Sequence, residues 1–94
     1  MLIIAGYLIV DAADRDTYVT DSVTTVEQAR RADGCLDFSI TADSIDPGRI
    51  DIYERWNSDE ELLDFRGTGP DGDTNARILN ADVHKYRISA VEVP

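Results

Sequence analysis

The sequence predicts an α+β fold in one domain, residues 1–94, with elements in the order β-α-β-β-α-β. Three observations carry this. Leu2 to Val10 is an apolar run of strand length, two alternating runs at 35–40 and 50–56 flank an Asp46-Pro47-Gly48 turn, and valines at helical spacing fill the stretch between the first run and that pair. With right-handed crossovers this order gives the ferredoxin-like split pattern, a four-stranded antiparallel sheet with helices on one face.

The first run, LIIAGYLIV, is apolar on both of its faces, as expected of a central strand covered from both sides. The chain's own helices cover only one face. A second copy's sheet is the expected cover for the other, which predicts a homodimer with two sheets packed face to face.

Residues 14–33 carry Val19, Val23, Val26 and Arg30 at helical spacing, with Tyr18, Ser22 and Ala29 alongside. Asp14 and Asp16 suit the positive N-terminal end of a helix, Arg30 and Arg31 the negative end, and Gly34 can take the left-handed conformation that stops it. Four threonines and the valines lower intrinsic helix propensity, so tertiary packing must hold this helix.

Alternation then places Leu36, Phe38 and Ile40 on one side of the second strand, and Ile50, Ile52, Glu54 and Trp56 on one side of the third. A carboxylate and the only tryptophan thus share an otherwise apolar face. Burying an ionised Glu there costs several kcal/mol, roughly, unless it is paired, so Glu54 needs a structural or catalytic reason to be present.

Ser58-Asp59-Glu60-Glu61 reads as a capping box that starts a short helix, with Leu62, Leu63 and Phe65 on its apolar side and Gly67 and Gly69-Pro70 at its end. A loop over 70–73 follows. Asp73 can cap a second helical piece through Leu79, and 83–93 alternates as a last strand, with Val83, Lys85 and Arg87 opposed to His84, Tyr86 and Ile88.

The formal net charge of −10 opposes binding to a phosphate backbone or an anionic membrane surface, and no apolar run reaches the ~20 residues that span a bilayer. Neither nucleic acid nor membrane is expected as a partner. One cysteine rules out an internal disulfide and suits a reducing cytoplasm, the expected location.

Several motifs lose to plainer accounts. Gly67 to Gly72 matches G-x-G-x-x-G by letter but follows a helix rather than a strand. Asp71, Asp73, Asn75 and Asp82 fall near calcium-loop positions, yet Ala76 stands where the sharp turn needs glycine, and helix capping is the better account of Asp73. His84 is the only histidine, so one chain lacks the ligands for a His-rich metal site; it can act as acid or base, or simply pack on its strand. Cys35 reads as a small buried hydrophobe.

Gly34-Cys35-Leu36, the Asp46-Pro47 turn, the strand end Tyr53-Glu54-x-Trp56-x-Ser58 and Glu60-x-Leu62 together resemble the antibiotic biosynthesis monooxygenase (ABM) family, over nearly the whole chain. The resemblance implies a dimeric α+β barrel. It also implies oxygenation of phenols, anthrones or hydroquinones by O2 without flavin, haem or metal, in a small apolar cavity between sheet and helices. Such substrates form electron-rich anions that reduce oxygen themselves, so the protein need only orient them, stabilise the oxyanion and exclude water.

On that resemblance Trp56, Asn57 and His84 are the catalytic candidates, and Tyr53, Glu54, Phe38, Phe65, Tyr86 and Arg66 the substrate-binding ones, with no metal and no cofactor. Trp56 can wall the cavity, donate its indole N–H to substrate, or serve as a core aromatic. Glu54 is assigned first to structure and second to base catalysis, and Arg66 either holds an anion or forms a surface ion pair. Many family members carry E-x-L-x-x-H on the helix after the tryptophan, and here Phe65 replaces that histidine. The departure keeps open an alternative, a dimer that binds or isomerises a small molecule without oxidising it.

Overall fold

The computed structural model describes residues 1–67 and 77–94. Strands β1 (Leu2–Ile9), β2 (Cys35–Ala42), β3 (Arg49–Trp56) and β4 (Asn80–Arg87) form one antiparallel sheet in the order β2-β3-β1-β4. Helices α1 (Arg15–Asp21) and α2 (Val23–Arg31) connect β1 to β2, and α3 (Asp59–Arg66) follows β3. This is the ferredoxin-like arrangement that the order of elements predicted.

Register decides which side chains meet. Leu2, Ile4, Gly6 and Leu8 of β1 lie opposite Trp56, Glu54, Ile52 and Ile50 of β3, all on the face that the helices cover. Leu2, Ile4, Phe38 and Trp56 pack there with Ala29 of α2 and Leu62 of α3, and a smaller cluster of Val10, Tyr18 and Ile50 closes the other end. The outer face carries Ile3, Ala5, Tyr7 and Ile9 of β1, all half-buried, beside Tyr53 and Arg55 of β3 and His84 and Tyr86 of β4. No described element of the chain lies over it.

The single helix expected over 14–33 is broken at Ser22. The Ser22 hydroxyl donates to the Tyr18 carbonyl at 2.8 Å, and its backbone N–H is shared between the Tyr18 and Val19 carbonyls. Back-bonding of this kind bends helices. The end is as expected, with Gly34 at φ 80° and its carbonyl accepting from the Asn57 N–H at 2.9 Å.

Leu36 does not share the Phe38 and Ile40 face. The pairing slips between Cys35 and Asp37, and this bulge turns Leu36 to solvent while Phe38 stays buried. Leu63 is likewise exposed, because only Leu62 and Phe65 face inward from α3. The last strand starts at Asn80 and ends at Arg87, since its partner β1 ends opposite at Leu2. The G-x-G-x-x-G match, the calcium-like loop and the helical piece capped by Asp73 fall wholly or mainly outside the described residues.

Two turns fix the frame. Gly48 follows Asp46-Pro47, and its N–H donates to the Asp46 carboxylate at 2.9 Å. Arg15 reaches over this turn from α1, donating to the Asp46 carbonyl at 2.9 Å and the Asp43 carbonyl at 3.3 Å. At the start of α3 the Ser58 hydroxyl accepts the Glu61 N–H at 3.3 Å, as the capping box requires. The same hydroxyl donates to the Glu61 carboxylate at 3.0 Å.

Candidate functional site

Strand alternation sends Glu54 and Trp56 into the covered face from adjacent inward positions of β3, and their side chains meet. The Trp56 indole N–H donates to Glu54 Oε1 at 3.1 Å. Trp56 has no exposed surface, whereas Glu54 is half-buried. Burial pushes the Glu54 carboxyl above the usual carboxylate range, and the indole hydrogen bond and the charge of Arg66 only partly offset this.

Aromatic rings close the pair in. Phe65 of α3 lies 5.4 Å from the Trp56 ring and 5.9 Å, edge-on, from Phe38, which stands opposite Glu54 on β2. Ile4 stands opposite Glu54 on the other side. Glu54 Oε1 is held by the indole, and Oε2 has no hydrogen-bond partner among the described residues. Chemically the arrangement is one carboxylate with spare basicity in an apolar, aromatic setting, with a guanidinium at its edge.

The predicted residues therefore divide into two groups. Trp56, Glu54, Phe38 and Phe65 come together on the face that the helices cover, and Arg66, exposed on α3, brings its charge to bear on Glu54. Tyr53 and His84 flank Ala5 on the outer face, and Tyr86 stands beside Ile3 with its ring 6.4 Å from His84. His84 Nε2 lies 2.7 Å from the Asp82 carboxylate, and Asn57 is exposed beyond the strand end. His84 and Tyr86 thus lie on the opposite face of the sheet from Glu54 and Trp56.

Among the described residues no group of three or more His, Cys, Asp or Glu is placed to hold a metal ion. No helix there is long and apolar enough to cross a membrane. A cavity of about 420 Å³ opens between α2 and α3, lined by Gln28, Ala32, Asp33, Glu61, Asp64 and Phe65.

The sequence profile of the antibiotic biosynthesis monooxygenase family matches residues 1–75. The chain belongs to this family. Solved structures with the same fold include a candidate antibiotic biosynthesis monooxygenase from Nitrosomonas europaea, 18% identical with TM-score 0.82, covering 96% of this chain and 100% of that one. A candidate antibiotic biosynthesis monooxygenase from Deinococcus radiodurans is 22% identical with TM-score 0.78, covering 100% and 99%. Another from Chloroflexus aurantiacus is 21% identical with TM-score 0.73, covering 99% and 98%. No curated protein matches the sequence.

In this ABM domain two features escaped the sequence. The α2–α3 cavity depends on how two helices pack, which no local pattern encodes. Arg55, too, has its Nε buried on the outer face of the sheet without a hydrogen-bond partner among the described residues. Its position between the inward Glu54 and Trp56 was the available signal.

Proposed function

We propose that this ABM domain is a cofactor-independent monooxygenase acting in the cytoplasm as a homodimer on a phenol, anthrone or hydroquinone-type metabolite. The observation that carries the reading is the Glu54–Trp56 pair set among Phe38, Phe65 and Ile4. A flat aromatic substrate is held by such rings, while Arg66 favours its anion. The anion transfers electrons to O2; one oxygen atom enters the product and the other leaves as water. In this reading Glu54, Phe38, Phe65 and Arg66 surround the substrate, with Trp56 behind Glu54 and Asn57 beyond the strand end.

The outer face supports the dimer. Ile3, Ala5, Tyr7 and Ile9 present apolar surface there, and the buried, unpaired Arg55 Nε gains an acceptor if a second sheet packs against it. Tyr53, His84 and Tyr86 belong to that interface in this reading. Sedimentation at micromolar concentration tests it, and a stable monomer overturns it.

Oxygen uptake by metal-stripped protein with anthrones and hydroquinones tests the chemistry. Saturable uptake with an oxygenated product, absent from a heat-denatured control, is the expected result; uptake no faster than the control overturns it. Phe65, standing where many relatives have histidine, favours the second reading, a non-oxidative binding or isomerising dimer.

A further inference from the structure

We propose that Glu54 is the base that removes the substrate's proton, and that Trp56 is a positioning residue holding it ready. This rests on the substrate class of the preceding reading but not on its oxidation step. The two roles come from the geometry of one pair. Trp56 is fully buried and its only hydrogen-bond donor is committed to Glu54 Oε1, so it has no N–H left for a substrate oxygen. Glu54 keeps Oε2 without a partner among the described residues and stays half-buried.

A base must be ionised when substrate arrives and must have enough basicity to take a proton. The surroundings of Glu54 supply both. From β1 it faces Ile4, which is apolar; from β2, Phe38 and the thiol of Cys35; from α3, the charge of Arg66. Burial raises the Cys35 thiol, which keeps it neutral beside the carboxylate. Lys85 lies on the same face beyond Ile4, but Asp59 holds its ammonium at 2.9 Å.

The step balances without a further reactant. The O–H bond of a phenol, or the acidic C–H bond of its keto tautomer, breaks, and an O–H bond forms on Glu54 Oε2. The electron pair stays on the substrate, delocalised onto its ring oxygen. The negative charge moves from Glu54 to the substrate, within the favourable field of Arg66.

Anthrone alone, in deuterated buffer without oxygen, separates this step from oxygenation. The folded wild-type protein should speed exchange of the acidic carbon-bound hydrogens above the buffer rate, followed by proton NMR. Glu54→Gln should lose that acceleration by roughly a hundredfold or more, and Glu54→Asp should keep part of it. Trp56→Phe should move the rising limb of the exchange–pH profile to higher pH and lower its plateau far less than Glu54→Gln does. Circular dichroism must show each variant folded, and Glu54→Asp serves if Glu54→Gln does not fold. Exchange with no oxygen uptake would uphold the base and defeat the monooxygenase reading. Oxygen uptake with exchange unchanged in Glu54→Gln would defeat the base and leave that reading intact. No acceleration by wild type would overturn the proposal.

Discussion

Arg87 and Asp59 meet at 2.6 Å, and Lys85 reaches the same carboxylate at 2.9 Å. Two side chains of the edge strand β4 thereby fasten it to the first turn of α3, where a carboxylate also suits the helix dipole. The pair of cations holds the Asp59 carboxyl down to about 2.

A folded pKa below the unfolded value means that the stabilisation is complete above the unfolded pKa, about 4, and disappears as pH falls through the folded one. Asp59→Asn should therefore lower the melting temperature modestly at neutral pH and low salt. The difference from wild type should shrink in high salt and vanish towards pH 2 in a thermal melt series.

Glu54 has the opposite sign. Its folded pKa is raised, so its contribution is fully present below the unfolded value of about 4.3 and is lost as pH rises through the folded one. Glu54→Gln keeps an acceptor for the indole and removes the desolvated charge. The variant should melt a few degrees above wild type at neutral pH, with the gap closing as pH falls below the carboxylate range. A variant that is stabler but slower is the signature of a group retained for chemistry.

Trp56→Phe removes the indole donor from Glu54 and leaves space in a fully buried site. The expected loss is about 1–3 kcal/mol in urea denaturation. A double-mutant cycle with Glu54→Ala, which removes the acceptor, should show coupling of roughly 0.5 kcal/mol or more, because the two side chains share one hydrogen bond.

Gly6→Ala tests the sheet itself. Gly6 sits at φ 149° in the middle of β1, and a Cβ there would run into the Asp82 carbonyl of β4. The substitution should cost about 2–4 kcal/mol in denaturant unfolding and loosen β4 first, seen as faster amide exchange over 80–87.

Period-two alternation made the strands legible, and with them the shared face of Glu54 and Trp56. The Asp46-Pro47-Gly48 turn, the Gly34 stop and the Ser58 cap were legible because each rests on chemistry confined to a few residues. Alternation alone does not say which side of a strand meets the helices. Tyr53, His84 and Tyr86 are therefore found on the outer face only once register with β1 is known. The break at Ser22 and the bulge at Leu36 were missed because a serine on a helix and a leucine in a strand both fit the uninterrupted pattern. What bends the chain there is hydrogen bonding, in one case to Tyr18 and in the other across to β3.

On the proposed reading, chemistry and assembly are interleaved along a single strand. Ile52, Glu54 and Trp56 point one way from β3, and Asp51, Tyr53 and Arg55 the other. An alanine scan of this segment should beat in twos, with turnover failing at every second position and subunit association failing at those between, so that neighbours in the gene would fall into different complementation classes.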